Sequence, residues 1–398
     1  MENVDRCFIK GTEIQLSDGR TLPIECITTN DSVIGIDGKN KKITKIHEGE
    51  ELLYEVNQQL GNNYIVNGDH VLVLKITNHE GIHWDAKRKY YKARYVQDLR
   101  LHDKCFRGTT ESEEEKKILH KRAAKFLKDT SKEVGYNKGF DIIEISVEKY
   151  MKLPLNIRNG LYGLKCAVEF DEKDTELDPY MLGLWLGDGT SSAPSFTNKD
   201  VVILDHVENY AISNDLRVTK RKNPSNCYVY RISRKPKGRN TFLESLKKYN
   251  LINNKHIPDD FLYNSREVRL KILAGIIDTD GYMHDNTYEI AQKSDKIAEG
   301  IIFLARSLGF RATCKKKEKK CHKPDGTIVP GMYNIMNITG ENLNELPILL
   351  QYKKTNSNPN KNRLLTKISV LEHGVGKYVG FQIEGDGKFI APDFTVLA

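Results

Sequence analysis

The chain has 398 residues, of which 29% are charged and 39% hydrophobic, and its 62 Lys and Arg residues against 54 Asp and Glu residues leave a net charge of +8. These values exclude a wholly disordered chain and a small disulfide scaffold, and about 150 residues per domain indicates two or three domains. The seven cysteines are scattered without a CxxC pair, which indicates a reducing compartment, and no apolar stretch approaches the roughly 18 residues of a membrane span.

Both ends of the chain are typical of β-structure. Short β-type segments separated by turn signals occupy the first 75 residues, among them Glu13–Leu16, Ser32–Ile36 and Tyr64–Val66. Strand-like sequence returns after residue 365, with a turn at Gly385-Asp386-Gly387. We therefore expect an α+β protein in which both chain ends form one all-β domain and the middle is inserted into it.

Residues 84–128 form a basic and aromatic segment. Its cations include Lys87, Arg88, Lys89, Lys92 and Arg94, and its rings are Trp84, Tyr90, Tyr91 and Tyr95. Cations neutralise phosphates and rings can lie against sugars or bases, so the segment is a candidate DNA-recognition arm. A solvated, salt-bridged surface is the alternative, and composition alone does not decide. A charged helix, Glu113–Lys128, follows, with Ser112 and Glu115 spaced as a capping box.

The middle of the chain contains an internal repeat. Residues 181–189 read MLGLWLGDG and residues 273–281 read LAGIIDTDG. Asp178-Pro179 predicts the start of the first helix, and Asn264 and Glu267 are spaced as a capping box for the second, Arg266–Ile277. After each, a helix and two basic strands are predicted: Val201–Asn214, Arg217–Lys222 and Cys227–Lys235, then Lys293–Leu308, Arg311–Lys320 and Thr327–Ile338. The repeat predicts two pseudo-symmetric halves, with Lys220, Arg221, Lys315, Lys316 and Lys317 as candidate DNA-binding residues.

The repeated helices carry an unusual combination of residues. Small residues four apart share one face of each helix: Gly183 with Gly187, and Gly275 with Thr279. Asp188 and Asp280 fall at the C-terminal ends, where a carboxylate opposes the helix dipole by roughly 0.3–1 kcal/mol and two carboxylates repel each other. A divalent cation resolves this conflict, because hard cations take carboxylate oxygens. Plain helix-ending Asp-Gly turns are the alternative, and two copies with matching flanks argue against it.

MLGLWLGDG and LAGIIDTDG resemble the two signature helices of the double-motif LAGLIDADG homing endonucleases, and the resemblance extends over roughly residues 175–360. It implies an αββαββα endonuclease domain that makes a double-strand break in a long asymmetric DNA site. It also implies that Asp188 and Asp280 hold Mg²⁺ or Mn²⁺ for phosphodiester hydrolysis. Lys255 and Lys354 match assisting lysines, with Lys353 in reserve for the second, and Gln292 stands where a water-ordering residue is expected.

Three further segments resemble the splicing blocks of inteins, whose domain has the Hint (hedgehog–intein) fold. They are CFIKGTEIQLSDGRTLPIECI from Cys7, NGDHVLVL at 67–74 and GFQIEGDGKFIAPDFTVLA at 380–398. The resemblance implies that Cys7 is a nucleophile and that His70 protonates the scissile amide, with Asn67 where Thr is usual. Leu397-Ala398 stands in the place of His-Asn, and alanine cannot cyclise, so we expect no complete splicing. A relic scaffold and an engineered change that stops splicing both stay open, as does an acyl shift at Cys7.

Together these features predict three parts: 1–172, Hint-like with the arm at about 80–170; 173–362, the endonuclease; and 363–398, the C-terminal part of the Hint-like domain. The expected partner is double-stranded DNA, without a membrane, and the expected state is a monomer inside the cell, in the nucleus if the host is a eukaryote. An autoprocessing protein with a decayed nuclease, and a DNA-binding or maturase-like RNA-binding protein without cleavage, are the alternatives. Intact Asp188, Asp280 and Lys255 favour the nuclease.

Overall fold

The computed structural model describes residues 6–77, 81–97, 99–108, 112–134, 142–222, 228–322, 328–355 and 364–398. The chain divides into two compact units. The terminal unit comprises residues 1–35, 40–165 and 365–398, and the central unit comprises residues 36–39 and 166–364. The first boundary, after residue 165, lies seven residues before the one predicted after residue 172. The second boundary, where the chain re-enters the terminal unit at residue 365, lies two residues after the one predicted at residue 363.

The elements follow in chain order. The first part of the chain contains β1 (Arg6–Ile9), β2 (Glu13–Gln15), β3 (Thr21–Pro23), β4 (Ser32–Ile34), β5 (Asn40–Gln58), β6 (Tyr64–Asn67), β7 (Val71–Ile76), β8 (Gly81–Asp85), β9 (Tyr90–Gln97), β10 (Arg100–Arg107), α1 (Glu113–Val134), β11 (Ile142–Ser146), α2 (Val147–Met151), α3 (Leu155–Arg158) and β12 (Leu161–Leu164). The middle contains α4 (Pro179–Asp188), β13 (Ser195–Phe196), α5 (Val201–Ser213), β14 (Leu216–Lys222), β15 (Tyr228–Arg234), α6 (Thr241–Lys248), α7 (Asp259–Leu262), α8 (Arg266–Asp280), β16 (Gly281–His284), β17 (Thr287–Gln292), α9 (Asp295–Ser307), β18 (Arg311–His322) and β19 (Ile328–Thr339). The last part contains β20 (Leu365–Ile383), β21 (Phe389–Ile390) and β22 (Val396–Leu397).

The terminal unit is built on one antiparallel sheet that joins the two ends of the chain. Its strand order is β21-β22-β7-β12-β20-β1-β6-β5-β4, with β11 paired to β7 and β20 also paired to β5. β5 and β20 are 19 residues each and pair from Ile43 opposite Ile383 to Gln58 opposite Ile368. β1 pairs with β20 as well, so the start of the described chain lies beside its end.

Strand alternation determines which face of β1 belongs to the core. Phe8 and Phe381 are fully buried, their ring centroids lie 6.4 Å apart, and Phe389 lies 5.2 Å from Phe381. Successive side chains of a strand point to opposite faces, so the side chain of Cys7 points away from this aromatic cluster.

β8, β9, β10 and α1 form the segment predicted as an arm. Ala93, Ala123 and Leu127 make its small core, with partly buried rings around them. The Ser112 hydroxyl accepts the Glu115 backbone N–H at 3.1 Å, which confirms the predicted cap at the start of α1.

The central unit is organised around α4 and α8. Met181, Leu182, Leu184 and Trp185 have no exposed surface, as expected of a helix that is apolar on every side. A Cβ added to Gly183 would lie 3.0 Å from the Gly275 Cα, and one added to Gly275 would lie 2.5 Å from the Tyr180 carbonyl oxygen. The predicted close approach of the two helices at their small residues is therefore confirmed.

The two helices begin differently. The Asp178 carboxylate accepts the Met181 N–H at 2.8 Å and Pro179 occupies the first turn, as predicted. The capping box predicted for α8 is wrong, because Ser265 stands at the N-cap position and makes no side-chain cap bond. The Asn264 side chain is fully buried, and its oxygen instead accepts the backbone N–H groups of Ser265 at 2.7 Å and Lys173 at 3.1 Å.

The two sheets of the central unit differ in size. The first has three strands in the order β13-β15-β14, and the second has four in the order β16-β17-β19-β18. After α8, β16 and β17 form a hairpin, whereas after α4 the corresponding segment makes only a bridge between Gly189 and Phe196. Pro194 lies in that segment and has no N–H to donate to a ladder. The fold is thus a mixed, strand-rich α and β protein.

None of the helices among the residues described above combines the length and the apolarity that crossing a membrane requires.

Replacing Gly183 or Gly275 with Ala should destabilise the central unit by about 1–3 kcal/mol, because the added methyl group meets backbone atoms that cannot move aside. The measurement is denaturant unfolding of the full chain. Gly238→Ala is the matched control, since a Cβ there meets nothing closer than 3.4 Å. Equal stabilities for all three variants would contradict the account of the helix interface.

Candidate functional site

Asp188 and Asp280 are the last residues of α4 and α8. Each carboxylate accepts a hydrogen bond from a side-chain amide: Asn198 donates to Asp188 Oδ2 at 2.6 Å, and Gln292 donates to Asp280 Oδ2 at 2.5 Å. A Cβ added to Gly187 would lie 3.4 Å from Asp280 Oδ2. The second carboxylate therefore lies against the last turn of the first helix.

Burial raises the pKa of both carboxyl groups. For Asp280 the pKa is raised to about 6, first by burial and then by the charge of Asp188, against the opposing effects of Lys255 and Gln292. Burial also raises the pKa of Asp188, although the Asn198 hydrogen bond and both nearby lysines act in the opposite direction. The protein thus holds two carboxylates where ionisation of both is unfavourable.

The donor set fits a hard divalent cation. Carboxylate oxygens are the ligands that Mg²⁺ and Mn²⁺ prefer, and a cation would offset the cost of burying these two charged groups, which raises the pKa of each. Over the described ranges no group of three or more His, Cys, Asp or Glu side chains could hold a metal ion. At the helix ends, Asp188 and Asp280 are the two carboxylates that could hold such an ion.

Lys255 binds backbone carbonyl groups at the C-terminal end of α4. Its ammonium group donates to the carbonyls of Leu186 at 3.0 Å and Gly189 at 2.6 Å, and lies 4.9 Å from the Trp185 ring centroid. Burial lowers the pKa of Lys255 to about 8, against the pull of Asp280 and Asp188. The sequence-predicted lysine thus lies at the end of α4, near enough for the charges of both aspartates to act on it.

Lys353, the reserve candidate for the second lysine, lies at the end of α8, and the role expected of Lys354 stays a prediction. The buried Lys353 ammonium donates to the carbonyls of Ile277 at 2.9 Å and Asp278 at 2.8 Å, at the end of α8. Burial lowers the pKa of Lys353, while Asp278 and Asp188 oppose the shift. Lys354 is exposed and follows the short 3-10 turn Gln351–Lys353 as its C-cap residue.

Gln292 occupies the position that the sequence predicted, and its counterpart Asn198 was missed. A signal for Asn198 exists, since Thr197-Asn198-Lys199-Asp200 follows the first aspartate much as Ala291-Gln292-Lys293 follows the second. Each helix end therefore carries an aspartate, an amide on that aspartate and a lysine on the helix carbonyls.

Strand alternation separates the basic residues of the first sheet. Lys220 lies 4.0 Å from the Tyr228 ring centroid and 5.4 Å from that of Tyr230, so it shares their face. Arg221 points to the opposite face. Two further exposed arginines, Arg217 and Arg231, share that face with Arg221, and the sequence did not single them out.

The lysines of β18 divide in the same way. Lys316 forms an ion pair with Asp295 at 3.0 Å, on the side of the sheet where α9 begins. Lys315 and Lys317 point to the other face, together with Lys319, which pairs with Glu289 at 3.5 Å. Only part of the predicted set thus shares one surface.

The arm also differs from the expectation. Lys87, Arg88 and Lys89 are exposed between β8 and β9, whereas Lys92 and Arg94 form ion pairs with Asp103 at 3.2 Å and 3.0 Å. Its partly buried rings make contacts within the arm: Trp84 with Tyr91 at 4.8 Å, Tyr91 with His120 at 5.3 Å and Tyr95 with Phe126 at 5.7 Å between ring centroids.

The terminal unit contains the residues predicted for autoprocessing. Cys7 is buried and pairs with Gly380 across β1 and β20. The His70 ring lies 4.9 Å from the Phe8 ring, which is next to Cys7 but on the other face of β1. The Asn67 side chain accepts the His70 backbone N–H at 3.0 Å, so it holds the turn before that histidine. Leu397 pairs with Leu72 on β7.

A histidine that the sequence did not single out contacts the Cys7 thiol. His47 Nε2 lies 3.3 Å from Cys7 Sγ. No local motif marks His47, because its position depends on the register of β5 against β20.

Asp280→Asn should stabilise the protein by about 2 kcal/mol at pH 7. A carboxyl group whose folded pKa is raised destabilises the fold once ionised, so stability rises as pH falls from about 6 towards 4. The gain from the substitution should therefore vanish near pH 4. Urea unfolding at pH 7 and pH 4 measures this, with the exposed Asp205→Asn as control, and an equal effect at both pH values would contradict the assignment.

Three curated relatives match parts of the chain. The replicative DNA helicase DnaB of Mycobacterium intracellulare is 26% identical over 163 residues, 41% of this chain and 24% of the relative. The homothallic switching endonuclease of Saccharomyces cerevisiae (strain ATCC 204508 / S288c) is 23% identical over 379 residues, 76% of this chain and 63% of the relative. The catalytic subunit of the V-type proton ATPase of Candida tropicalis is 32% identical over 79 residues, 17% of this chain and 7% of the relative. The chain thus spans less than two-thirds of each relative.

Solved structures of the homing endonuclease I-DmoI are similar to part of the chain. One of mesophilic variants has a TM-score of 0.30 at 17% identity and covers 41% of this chain and 88% of that one. The structure in complex with DNA and Mn has a TM-score of 0.29 at 16% identity, and the match covers 41% of this chain and 89% of that chain.

The family described as Hom_end-associated Hint matches residues 7–396. That range begins at the residue predicted as nucleophile and includes both aspartate-bearing helices. Because the match spans nearly the whole sequence, the protein belongs to the Hom_end-associated Hint family, the Hint domains associated with homing endonucleases.

Proposed function

We propose that the chain is a site-specific endonuclease that hydrolyses both strands of a long, asymmetric duplex DNA site with the help of a divalent metal ion. The observation that carries this proposal is the pair Asp188 and Asp280 at the ends of two helices in direct contact. The yeast relative, by its name an endonuclease, aligns with 76% of this chain and adds support.

Asp188 and Asp280 would hold Mg²⁺ or Mn²⁺, which supplies stabilisation of charge on the attacking and leaving oxygens of the phosphodiester. Asn198 and Gln292 hold the two carboxylates in place by their hydrogen bonds. Lys255 and Lys353 add positive charge near the same point, where the reacting phosphate gains negative charge.

We propose that each half of the central unit cuts one DNA strand. In support, the first half contributes Asp188, Asn198 and Lys255, and the second contributes Asp280 and Gln292 with Lys353. Two such sets suit a break in both strands by a monomer, and in a eukaryotic host the nucleus would be the place of action.

DNA binding is assigned to exposed cations that share a surface. On the first sheet these are Arg217, Arg221 and Arg231, and on the second Lys315, Lys317 and Lys319. Lys87, Arg88 and Lys89 of the arm would bind further phosphates. Lys220 and Lys316 of the sequence-predicted set face the other side of their strands and are assigned only a supporting role.

A second candidate function is peptide acyl transfer at Cys7. It is favoured by the pairing of Cys7 with Gly380, next to the His70 ring on Phe8. The reaction would be an acyl shift from the Cys7 nitrogen onto the Cys7 sulfur.

Asp188→Asn and Asp280→Asn should each lower double-strand cleavage by about 100-fold or more, since one carboxylate of the metal site is removed. DNA binding should persist, because it depends on the basic surfaces. The assay is cleavage of a mapped target with Mg²⁺, beside a gel-shift measurement. Asp205→Asn is the matched control, and cutting at the wild-type rate by either variant would refute the site.

Lys353→Met should slow single-turnover cleavage by about tenfold or more, whereas Lys354→Met should leave it unchanged, because only the first ammonium lies at the end of α8. Thermal unfolding of both variants checks that the fold survives. A larger loss of cleavage in Lys354→Met than in Lys353→Met would instead assign the role to Lys354.

Removing the charges of Lys87, Arg88 and Lys89 together should weaken DNA binding and reduce the salt dependence by roughly one unit of slope for each phosphate that is no longer bound. The matched control removes Lys92 and Arg94, which already pair with Asp103 and should matter less. Fluorescence anisotropy over a range of salt concentrations provides both slopes. Unchanged slopes in the first variant would place the arm outside the DNA-binding surface.

A further inference from the structure

The contact between Cys7 and His47 is built by the register of three strands. Cys7 pairs with Gly380 across β1 and β20, and Gly380 pairs with His47 across β20 and β5. Residues directly opposite in antiparallel strands project to the same face. The three residues therefore stand in one row, with the glycine between the thiol and the imidazole.

The absence of a side chain at position 380 is what lets the two groups meet. A Cβ added to Gly380 would lie 2.7 Å from Cys7 Sγ and would collide with the His47 ring atoms Cε1 and Nε2. With glycine there, Sγ and Nε2 lie 3.3 Å apart. Any other residue would force the histidine away from the sulfur.

His70 lies on the face of β1 opposite to the Cys7 thiol. Its ring packs edge-on against Phe8 at 4.9 Å, on the core face of β1, whereas the thiol points to the opposite face. The group that touches the sulfur is therefore His47.

Cys7 and His47 also line a common cavity of about 780 Å³. Glu51, Asn67 and Tyr378 are among its other walls. A cavity of this size admits a small thiol or electrophile to the sulfur.

We propose that His47 is the base that takes the proton of the Cys7 thiol, so that Cys7 and His47 form a nucleophilic pair for an acyl shift at the Arg6–Cys7 peptide bond. The acyl-shift part rests on the second candidate function above. Nucleophilic cysteines in other enzymes are activated by an adjacent histidine in the same way.

The step balances without an oxidant or a reductant. The thiolate sulfur bonds to the Arg6 carbonyl carbon, and the bond between that carbon and the Cys7 nitrogen breaks. The proton that leaves the sulfur for His47 passes on to the released amine nitrogen, so that the histidine ends in its starting state. The amide becomes a thioester, which an external thiol then cleaves by exchange.

The first experiment measures the base alone and needs no acyl shift. The full-length protein is treated with iodoacetamide between pH 5 and pH 9, and alkylation of each cysteine is followed by mass spectrometry. At pH 7 Cys7 should react about tenfold or more faster than in His47→Gln, because an unassisted thiol is only a few per cent thiolate there. Gly380→Ala should resemble His47→Gln, and the exposed Cys26 provides the internal reference.

The matched control is His373→Gln, an exposed histidine on β20, which should leave the Cys7 rate and its pH profile unchanged. Circular dichroism and DNA cleavage show that each variant is folded. A Cys7 that does not react, or that reacts equally in wild type and His47→Gln with the pH profile of Cys26, would overturn the pair.

The second experiment tests the acyl shift. A tag is fused ahead of Met1, and its release by dithiothreitol is followed with time. Release should be abolished in Cys7→Ala and slowed about tenfold or more in His47→Gln. Fast alkylation without release would refute the acyl-transfer function while leaving the pair intact, and release that is equal in His47→Gln and wild type would refute the role of His47.

Discussion

The close packing of α4 on α8 through Gly183 and Gly275 is the constraint on which the candidate nuclease site depends. Backbone-to-backbone approach is possible only where both helices lack side chains, and it continues to Gly187, whose added Cβ would collide with Thr279. The helices thus remain together up to their last turn. Two carboxylates that would otherwise separate are held side by side in a partly buried place.

Two buried carboxylates side by side are electrostatically unfavourable, and the positive groups around them offset this cost only in part. Lys255 and Lys353 bind the carbonyl ends of the two helices, where cations oppose the dipole, and their charges also act on both aspartates. Even so, the pKa of Asp280 stays raised to about 6. Burial is the first cause of this shift and the charge of Asp188 the second, and pKa values perturbed in this way are found more often at functional sites.

Much of this organisation could be predicted from the sequence, because its signals are local. The aspartates and small residues recur at fixed spacing, so the helices and their close approach followed from periodicity and steric size. The β character of both chain ends predicted their pairing, which the long β5 and β20 ladder provides. The burial of Lys353 and the exposure of Lys354 could not be predicted in this way, because they depend on how a short turn packs.

The features that the sequence did not reveal depend on distant register. His47 meets Cys7 only because Gly380 pairs with both, and neither β5 nor β20 carries a motif for this. Similarly, strand alternation places Lys220 and Arg221 on opposite faces of the first sheet, and the sequence alone does not tell which face is exposed. The Asn264 cap failed because the side-chain oxygen accepts the N–H group of Lys173, 91 residues away, and that of Ser265 instead of an N–H group in the first turn of α8.

The measurement that tests the central claim most directly is incubation of the full-length protein with host genomic DNA and Mg²⁺, followed by sequencing of the break ends. The account predicts paired ends on both strands at one long asymmetric sequence, present in the wild type and absent both with a chelator and in Asp280→Asn. Breaks that persist without divalent metal, or in the absence of the Asp280 carboxylate, would contradict it.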